Sequence, residues 1–292
     1  MGGTESGSDL RTAVIVPCYN EERAIAKVVT DLREALPTAR VYVVDNASTD
    51  ETVQVARGAG AIVRREPRKG KGNVVRRSLA DIDADVYLMI DGDDTYDAAA
   101  APLLVEALLN GPNDMVTGVR HADGAGAYRA GHELGNRGFN VAVSHIFGYQ
   151  VTDMLSGYRA FSRRYVKSFP AVSREFEIET ELTVHAINNR MPTAEVVVGF
   201  RDRGEGSESK LNTYRDGTRI LGTIVKLLHH ERPKAFYGSA AALMFLAAIA
   251  FATPLLVEYL MTGLVPRLPT AMIVVCLVVC SLLTLAMGVI LN

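Results

Sequence analysis

Beyond Lys234 the charged residues almost vanish, and only Glu258 and Arg267 interrupt the remainder of the chain. Two uncharged, largely apolar runs, 235–257 and 270–291, are each long enough to cross a bilayer core of about 30 Å as a helix, which takes about 20 residues. A helix buried in a soluble core can be apolar all round, but two such runs in tandem, joined by a short loop with Pro266 and Pro269, predict a transmembrane hairpin. Pro254, near the end of the first run, is expected to kink that helix or mark its exit. Arg219, Lys226, Arg232 and Lys234 precede the first run, whereas the connecting loop holds one arginine. The positive-inside rule then puts the large N-terminal portion in the cytoplasm, attached to the inner (cytoplasmic) membrane by a multi-pass anchor.

The 292 residues accommodate one sizeable domain plus this appendage, and a formal net charge of -2 gives no sign of a nucleic-acid partner. Residues 1–11 read as a flexible, Gly/Ser-rich polar lead without the apolar region of a secretory signal. Met1-Gly2 with Ser6 formally fits a myristoylation pattern, a match expected by chance in so glycine-rich a start. Cys18, Cys276 and Cys280 suggest neither a disulfide nor a zinc framework.

Through the first half, strand patterns at 13–16, 41–44, 61–64 and 86–90 alternate with helical ones. The first helix carries Ile25, Val28, Val29 and Leu32 on one face, and the third runs over 73–82. This rhythm predicts an α/β fold with a mainly parallel central sheet covered on both sides. Ser48 followed by Glu51 reads as a capping box opening the second helix. One α/β domain is expected over 12–211, followed by an amphipathic juxtamembrane helix at 212–234 and the hairpin at 235–291. Tyr214, Ile220, Leu221, Ile224, Val225 and Leu228 alternate there with Arg215, Arg219 and Lys226, as in a helix lying in the membrane interface.

Open α/β sheets bind ligands at the carboxyl ends of their strands. Those ends carry Pro17, Cys18, Tyr19, Asn20 and Glu21, then Asp45 and Asn46, then the run I-D-G-D-D-T-Y-D at 90–97. Asp91 and Asp93 stand two positions apart, a spacing that lets both carboxylates reach one hard cation such as Mg²⁺ or Mn²⁺ facing phosphate. A plain polar turn after a strand has the same composition. The first turn lacks the G-x-G-x-x-G fingerprint, which disfavours a dinucleotide site, and G-K-G at 70–72 is not a Walker A loop. From Met115, a short strand at 115–117 leads into a basic, glycine-rich loop with Arg120, Arg129 and Arg137, suited either to anions or to plain solvation. A helix at 176–188 presents Glu177 and Glu181 along one face, and Ile178, Leu182 and His185 along another.

Taken in order, V-P-C-Y-N-E at 16–21, V-V-D-N-A-S-T-D at 43–50, G-K-G at 70–72, D-G-D-D-T-Y at 91–96, the D-x-x-x-G-Y-R-A-F run at 153–161 and G-S-E-S-K-L at 206–211 resemble the family 2 inverting glycosyltransferases of GT-A fold. Within that family the likeness, covering about 12–225, is to the polyprenyl-phosphate glycosyltransferases, the dolichol-phosphate mannose synthase-like group. Two trailing spans are similar to the bacterial branch that glucosylates undecaprenyl phosphate. The resemblance implies transfer of a sugar from a UDP or GDP sugar to a polyprenyl phosphate in the bilayer. It implies that Pro17, Tyr19, Glu21, Asp45, Lys71 and Asp91 line the nucleotide site, with Asp91 and Asp93 holding Mg²⁺ or Mn²⁺. Thr95 stands where the mannose-synthase branch commonly has a metal-binding Gln. Asp93 and Asp153 would carry the chemistry.

A lipid phosphate with a second pKa near ~6 is largely dianionic and needs little help from a base, so Asp153 is expected to position as much as to accept a proton. Arg129, Arg201, Arg203 and Lys210 are the candidates for the acceptor phosphate, because guanidinium forks match its geometry. Arg159 fits the family's G-[YF]-R position and equally a salt bridge to a helix Glu. A homo-oligomer is a family-level expectation. The rivals are a processive polysaccharide synthase, against which the absence of tryptophan speaks, and an inactive membrane-tethered nucleotide-sugar binder.

Overall fold

In this computed structural model the residues described are 10–122, 152–170, 178–201, 222, 225, 228, 229, 232–265 and 267–291. The chain divides into two compact units, Met1–Gly217 and Thr218–Asn292.

The first unit is built on a seven-stranded sheet in the order β3-β2-β1-β4-β6-β5-β7. Its strands are β1 (Thr12–Cys18), β2 (Arg40–Asp45), β3 (Ile62–Arg65), β4 (Val86–Met89), β5 (Met115–Ala122), β6 (Arg159–Ser162) and β7 (Thr193–Phe200). Its helices are α1 (Ile25–Ala35), α2 (Thr52–Gly58), α3 (Lys71–Asp81), α4 (Ala101–Leu109), α5 (Arg163–Ser168) and α6 (Ile178–Asn188). The α/β class and the mainly parallel sheet follow the sequence pattern, with element ends shifted by a few residues. β6 alone runs against its neighbours, pairing antiparallel with β4 and with β5.

Strand alternation distributes side chains to two core layers, as expected for strands buried on both faces. On one face Val14, Val16, Leu88 and Val116 pack with Val28, Val29 and Leu32 of α1 and Leu104 of α4. On the other, Ala13, Ile15, Tyr87 and Met89 pack with Val74 and Leu79 of α3, Tyr165 of α5 and Leu182 of α6. The four apolar residues on α1 are all buried, as their spacing predicts.

The expected capping box does not form. Helix α2 begins at Thr52 with no side-chain cap bond, because the Ser48 hydroxyl is drawn away to accept the Asn20 N–H at 2.9 Å. Asp50 instead accepts the Thr52 N–H and hydroxyl at 3.1 and 2.5 Å.

The second unit contains α7 (Pro233–Thr262) and α8 (Leu268–Ile290), of 30 and 23 residues and both apolar enough to cross a membrane. Pro254 lies inside α7, which continues past it to Thr262. The two helices pack through small residues: Ser281 donates to the Ala241 carbonyl at 2.9 Å, and a Cβ on Gly288 would sit 2.8 Å from that of Tyr237. Glu258 pairs with Arg267 of the connecting loop at 3.3 Å. Most of the expected juxtamembrane helix lies outside the described residues.

Candidate active site

The strand order reverses between β1 and β4, since the chain leaves β3 on one side of β1 and returns as β4 on the other. Such a switch point opens a crevice at the carboxyl ends of the two strands. Cys18 at the end of β1, Asp45 at the end of β2 and Asp91 just past β4 share that edge. Because β6 is antiparallel and pairs Arg159 with Met89, the segment 153–158 that precedes it arrives at the same edge.

The first two loops are sewn together. The Glu21 N–H donates to Thr52 Oγ1 at 2.8 Å, the Thr49 N–H to Asn20 Oδ1 at 2.8 Å, and the Glu51 N–H to Glu22 Oε2 at 2.9 Å. Three loop residues at this edge hold left-handed backbone, Asn20 (φ 54), Ala47 (φ 60) and Asp94 (φ 56), a conformation Asn and Asp tolerate better than Ala. Asp45 is fully buried; its Oδ1 accepts the Ser48 N–H at 3.1 Å, while Oδ2 faces the Arg65 guanidinium at 3.4 Å and has no hydrogen-bond partner. Tyr19 lies under the Lys69 ammonium, 5.2 Å from the ring centroid. Pro17 and Glu21 flank them, and Glu21 is buried.

Asn46, which follows Asp45, spans the β3-α3 loop. Its Nδ2 donates to the Glu66 and Arg68 carbonyls at 3.1 and 2.7 Å, and its Oδ1 accepts the Gly70 N–H at 2.7 Å. Gly70 has φ 121, a value L side chains rarely adopt. This harness delivers Lys71 to the acidic turn, where its ammonium lies 2.5 Å from Asp91 Oδ1 and 2.6 Å from Glu179 Oε1. Lys71 thus meets the turn after β4. Burial opposes its charge, but Asp91 and Glu179 outweigh burial and raise its pKa. Burial pushes Glu179 up against the pull of Lys71.

In the acidic turn, Asp93 is buried and its Oδ1 accepts the Thr95 hydroxyl at 2.6 Å and the Thr95 N–H at 3.3 Å. Thr95 therefore serves Asp93 and does not extend the oxygen set as a Gln would. Glycine is required beside both carboxylates: a Cβ on Gly92 would lie 2.3 Å from Cys18 Sγ, and one on Gly157 2.4 Å from Asp91 Oδ2.

Asp153 is buried and gripped by Arg120 of β5, whose Nε and Nη2 lie 2.6 and 2.7 Å from its two oxygens. The guanidinium also stands over the Phe200 ring at 5.4 Å. Tyr96 locks this loop, for its hydroxyl accepts the Gly157 N–H at 2.9 Å; burial pushes its pKa up to about 12. Among the described residues Arg159 makes no salt bridge with a helix Glu. Its guanidinium is fully buried and donates to the carbonyls of Ser156 and Met154 at 2.9 and 2.6 Å and to the Thr183 hydroxyl at 2.8 Å; desolvation lowers its pKa. Arg201 pairs with Asp97 at 3.3 Å at the rim. Arg129, Arg203, Lys210 and Glu177 lie outside the described residues.

Glu179, Arg120 and Tyr96 are the site residues that sequence reasoning did not nominate. Arg120 stood in the basic loop and Tyr96 in the acidic motif; nothing around Glu179 set it apart from Glu177 and Glu181. Among the described residues no group of three or more His, Cys, Asp or Glu side chains gathers to bind a metal. Asp91 and Asp93 are the hard oxygen pair, which suits a cation that draws its remaining ligands from a phosphate. Asp91 already holds the Lys71 ammonium.

The chain is similar to known proteins. Glycosyltransferase AglJ of Haloferax volcanii is 37% identical over 228 residues, 77% of this chain and 75% of the relative. The dolichyl-phosphate hexose transferase of the same organism is 30% identical over 220 residues, 75% of this chain and 95% of its own. Among solved structures, glucosyl-3-phosphoglycerate synthase from Mycobacterium tuberculosis, in complex with Mn²⁺, uridine diphosphate and glucosyl-3-phosphoglycerate, aligns with a TM-score of 0.60 and 26% identity, over 75% of this chain and 79% of that one. The fold is therefore GT-A-like. With residues 13–169 also matching the family's profile, the chain belongs to Glycosyl transferase family 2.

Proposed function

We propose that this glycosyltransferase moves a sugar, with inversion, from a nucleoside-diphosphate sugar to a polyprenyl phosphate held in the bilayer. The observation that carries the reading is that one chain joins a family 2 core, with two carboxylates at the carboxyl end of β4, to apolar helices of 30 and 23 residues. A polyprenyl chain leaves the bilayer only by exposing apolar surface at roughly 25 cal/mol per Å², so the enzyme has to be brought to its lipid.

In this reading Asp45 Oδ2, which lacks a hydrogen bond, accepts an N–H of the base, and Tyr19 and Pro17 flank the nucleoside. Asp91 and Asp93 would hold Mg²⁺ or Mn²⁺, which would supply charge neutralisation at the departing diphosphate. The bond between the anomeric carbon and the diphosphate oxygen breaks as an oxygen of the acceptor phosphate bonds to that carbon from the opposite face. Asp153, fully engaged by Arg120, acts by fixing the plane of that guanidinium and not as a base. Arg129, Arg201, Arg203 and Lys210 remain our candidates for the acceptor phosphate. The N-terminal unit faces the cytoplasm.

A soluble phosphorylated acceptor is the second reading, favoured by the fold likeness to the phosphoglycerate-utilising synthase. Purified protein in detergent, supplied with a divalent ion, a panel of UDP and GDP sugars, and either a short polyprenyl phosphate or phosphoglycerate, separates the two. Glycolipid formation that disappears with chelator and in Asp93→Ala, with folding intact, supports the proposal. Product only from phosphoglycerate, or glycolipid made equally well with chelator, overturns it.

A further inference from the structure

We propose that Lys71 is the resident cation of the acidic turn, and that Glu179 is the positioning carboxylate that retains it when a divalent ion takes over Asp91. The inference rests on the reading of Asp91 and Asp93 as a cation site and adds to it how that site is kept charge-balanced when empty and when filled.

Three observations carry it. First, the ammonium is nearly enclosed, with 11% of its side chain exposed, and sits between two carboxylates at 2.5 and 2.6 Å. Second, Glu179 has acceptor capacity in reserve: its Oε2 is buried without a hydrogen-bond partner, while a lysine ammonium has three protons to place. When Asp91 turns its charge to a metal, that reserve can accept the hydrogen bond from the N–H set free, with the ammonium still charged. Third, Asp91 cannot simply swing clear of Lys71, because backbone at Gly157 closes its other flank so tightly that no Cβ fits. A metal and Lys71 therefore compete for one carboxylate. The charge of Glu179 is what allows both cations to stay.

The two residues then act on cation affinity with opposite sign. Removing Lys71 removes a competitor for Asp91; removing the charge of Glu179 takes away one of the two carboxylates at the ammonium and strengthens its hold on the other. The test is Mn²⁺ binding to the full-length protein in detergent, read from the electron paramagnetic resonance of free Mn²⁺ without nucleotide. Lys71→Met should bind Mn²⁺ roughly tenfold more tightly, Glu179→Gln roughly tenfold more weakly, and the double variant close to Lys71→Met, because without the ammonium Glu179 has no competitor to retain. Glu179→Asp, which keeps the charge but draws it back, should weaken binding less and covers the case in which the Gln variant fails to fold. A pair that matters only for packing would shift both single variants in the same direction or neither, and that result overturns the inference while leaving the cation site standing. If the wild type binds no Mn²⁺ and transfer ignores chelator, the cation site itself falls, and the inference with it.

Discussion

The tightest glycine in the site offers the sharpest perturbation. A Cβ on Gly157 would lie 2.4, 2.8 and 2.9 Å from the three carboxylate atoms of Asp91, where ordinary contact begins at 3.4 Å. Gly157 is not among the positive-φ glycines, so alanine adds no backbone strain and acts only as a wedge. Relief requires about 1 Å of movement between loop and carboxylate, and Asp91 is tied on its other side to Lys71. Overpacking of this size costs about 1–3 kcal/mol of stability. A misplacement of about 1 Å in a catalytic constellation costs on the order of 10²-fold in rate, about 2.7 kcal/mol of transition-state stabilisation. Gly157→Ala should therefore lower kcat/KM for the sugar nucleotide by about two orders of magnitude and weaken Mn²⁺ binding, with a shift of only a few degrees in the melting temperature. Gly58→Ala is the control: nothing lies within 4 Å of its Cβ, and in a helix the change should be neutral or stabilising by about 0.5–1 kcal/mol. Wild-type kcat/KM and Mn²⁺ affinity in Gly157→Ala would show that the position of Asp91 does not govern the reaction.

Two further outcomes follow from the fold. Burial alone would raise the Asp114 carboxyl, but hydrogen bonds from Arg164 and Ser162 hold it below the usual carboxylate value. A depressed folded pKa gives stability that is fully present above the unfolded value of about 3.9 and is lost as pH falls through the folded one. Asp114→Asn should flatten the acid limb of thermal stability between about pH 5 and 2, and an unchanged limb would exclude this group as a source of it. Ala47 holds φ 60 at no evident gain. Ala47→Gly should stabilise the protein by about 1 kcal/mol in urea or thermal unfolding, and a lower midpoint would mean that the left-handed backbone there carries no strain.

Local pattern was enough for the strands, the buried face of α1, the acidic turn after β4 and the two apolar runs. Each is a matter of spacing between residues close in the chain, where periods of 2 and 3.6 act directly on which face is buried. Partner choice was another matter. Ser48 and Glu51 have the spacing of a capping box, yet Asn20, remote in sequence, claims the hydroxyl. Arg159, for which a salt bridge to a helix Glu was one of two readings, donates among the described residues to carbonyls and a hydroxyl, because burial favours whichever acceptors the fold brings into reach.

The sequence by itself determined that a parallel α/β core with carboxylates at its strand ends is joined to a pair of helices apolar enough for a bilayer, since composition and periodicity are properties of short segments. Only the tertiary structure decided that Lys71 and Glu179 share Asp91, that Arg120 occupies Asp153, and that β6 runs backward to bring Gly157 against the acidic turn. Those pairings depend on strand order and direction, which are settled by how distant segments pack, and a charge carries no mark in sequence of the partner it will meet.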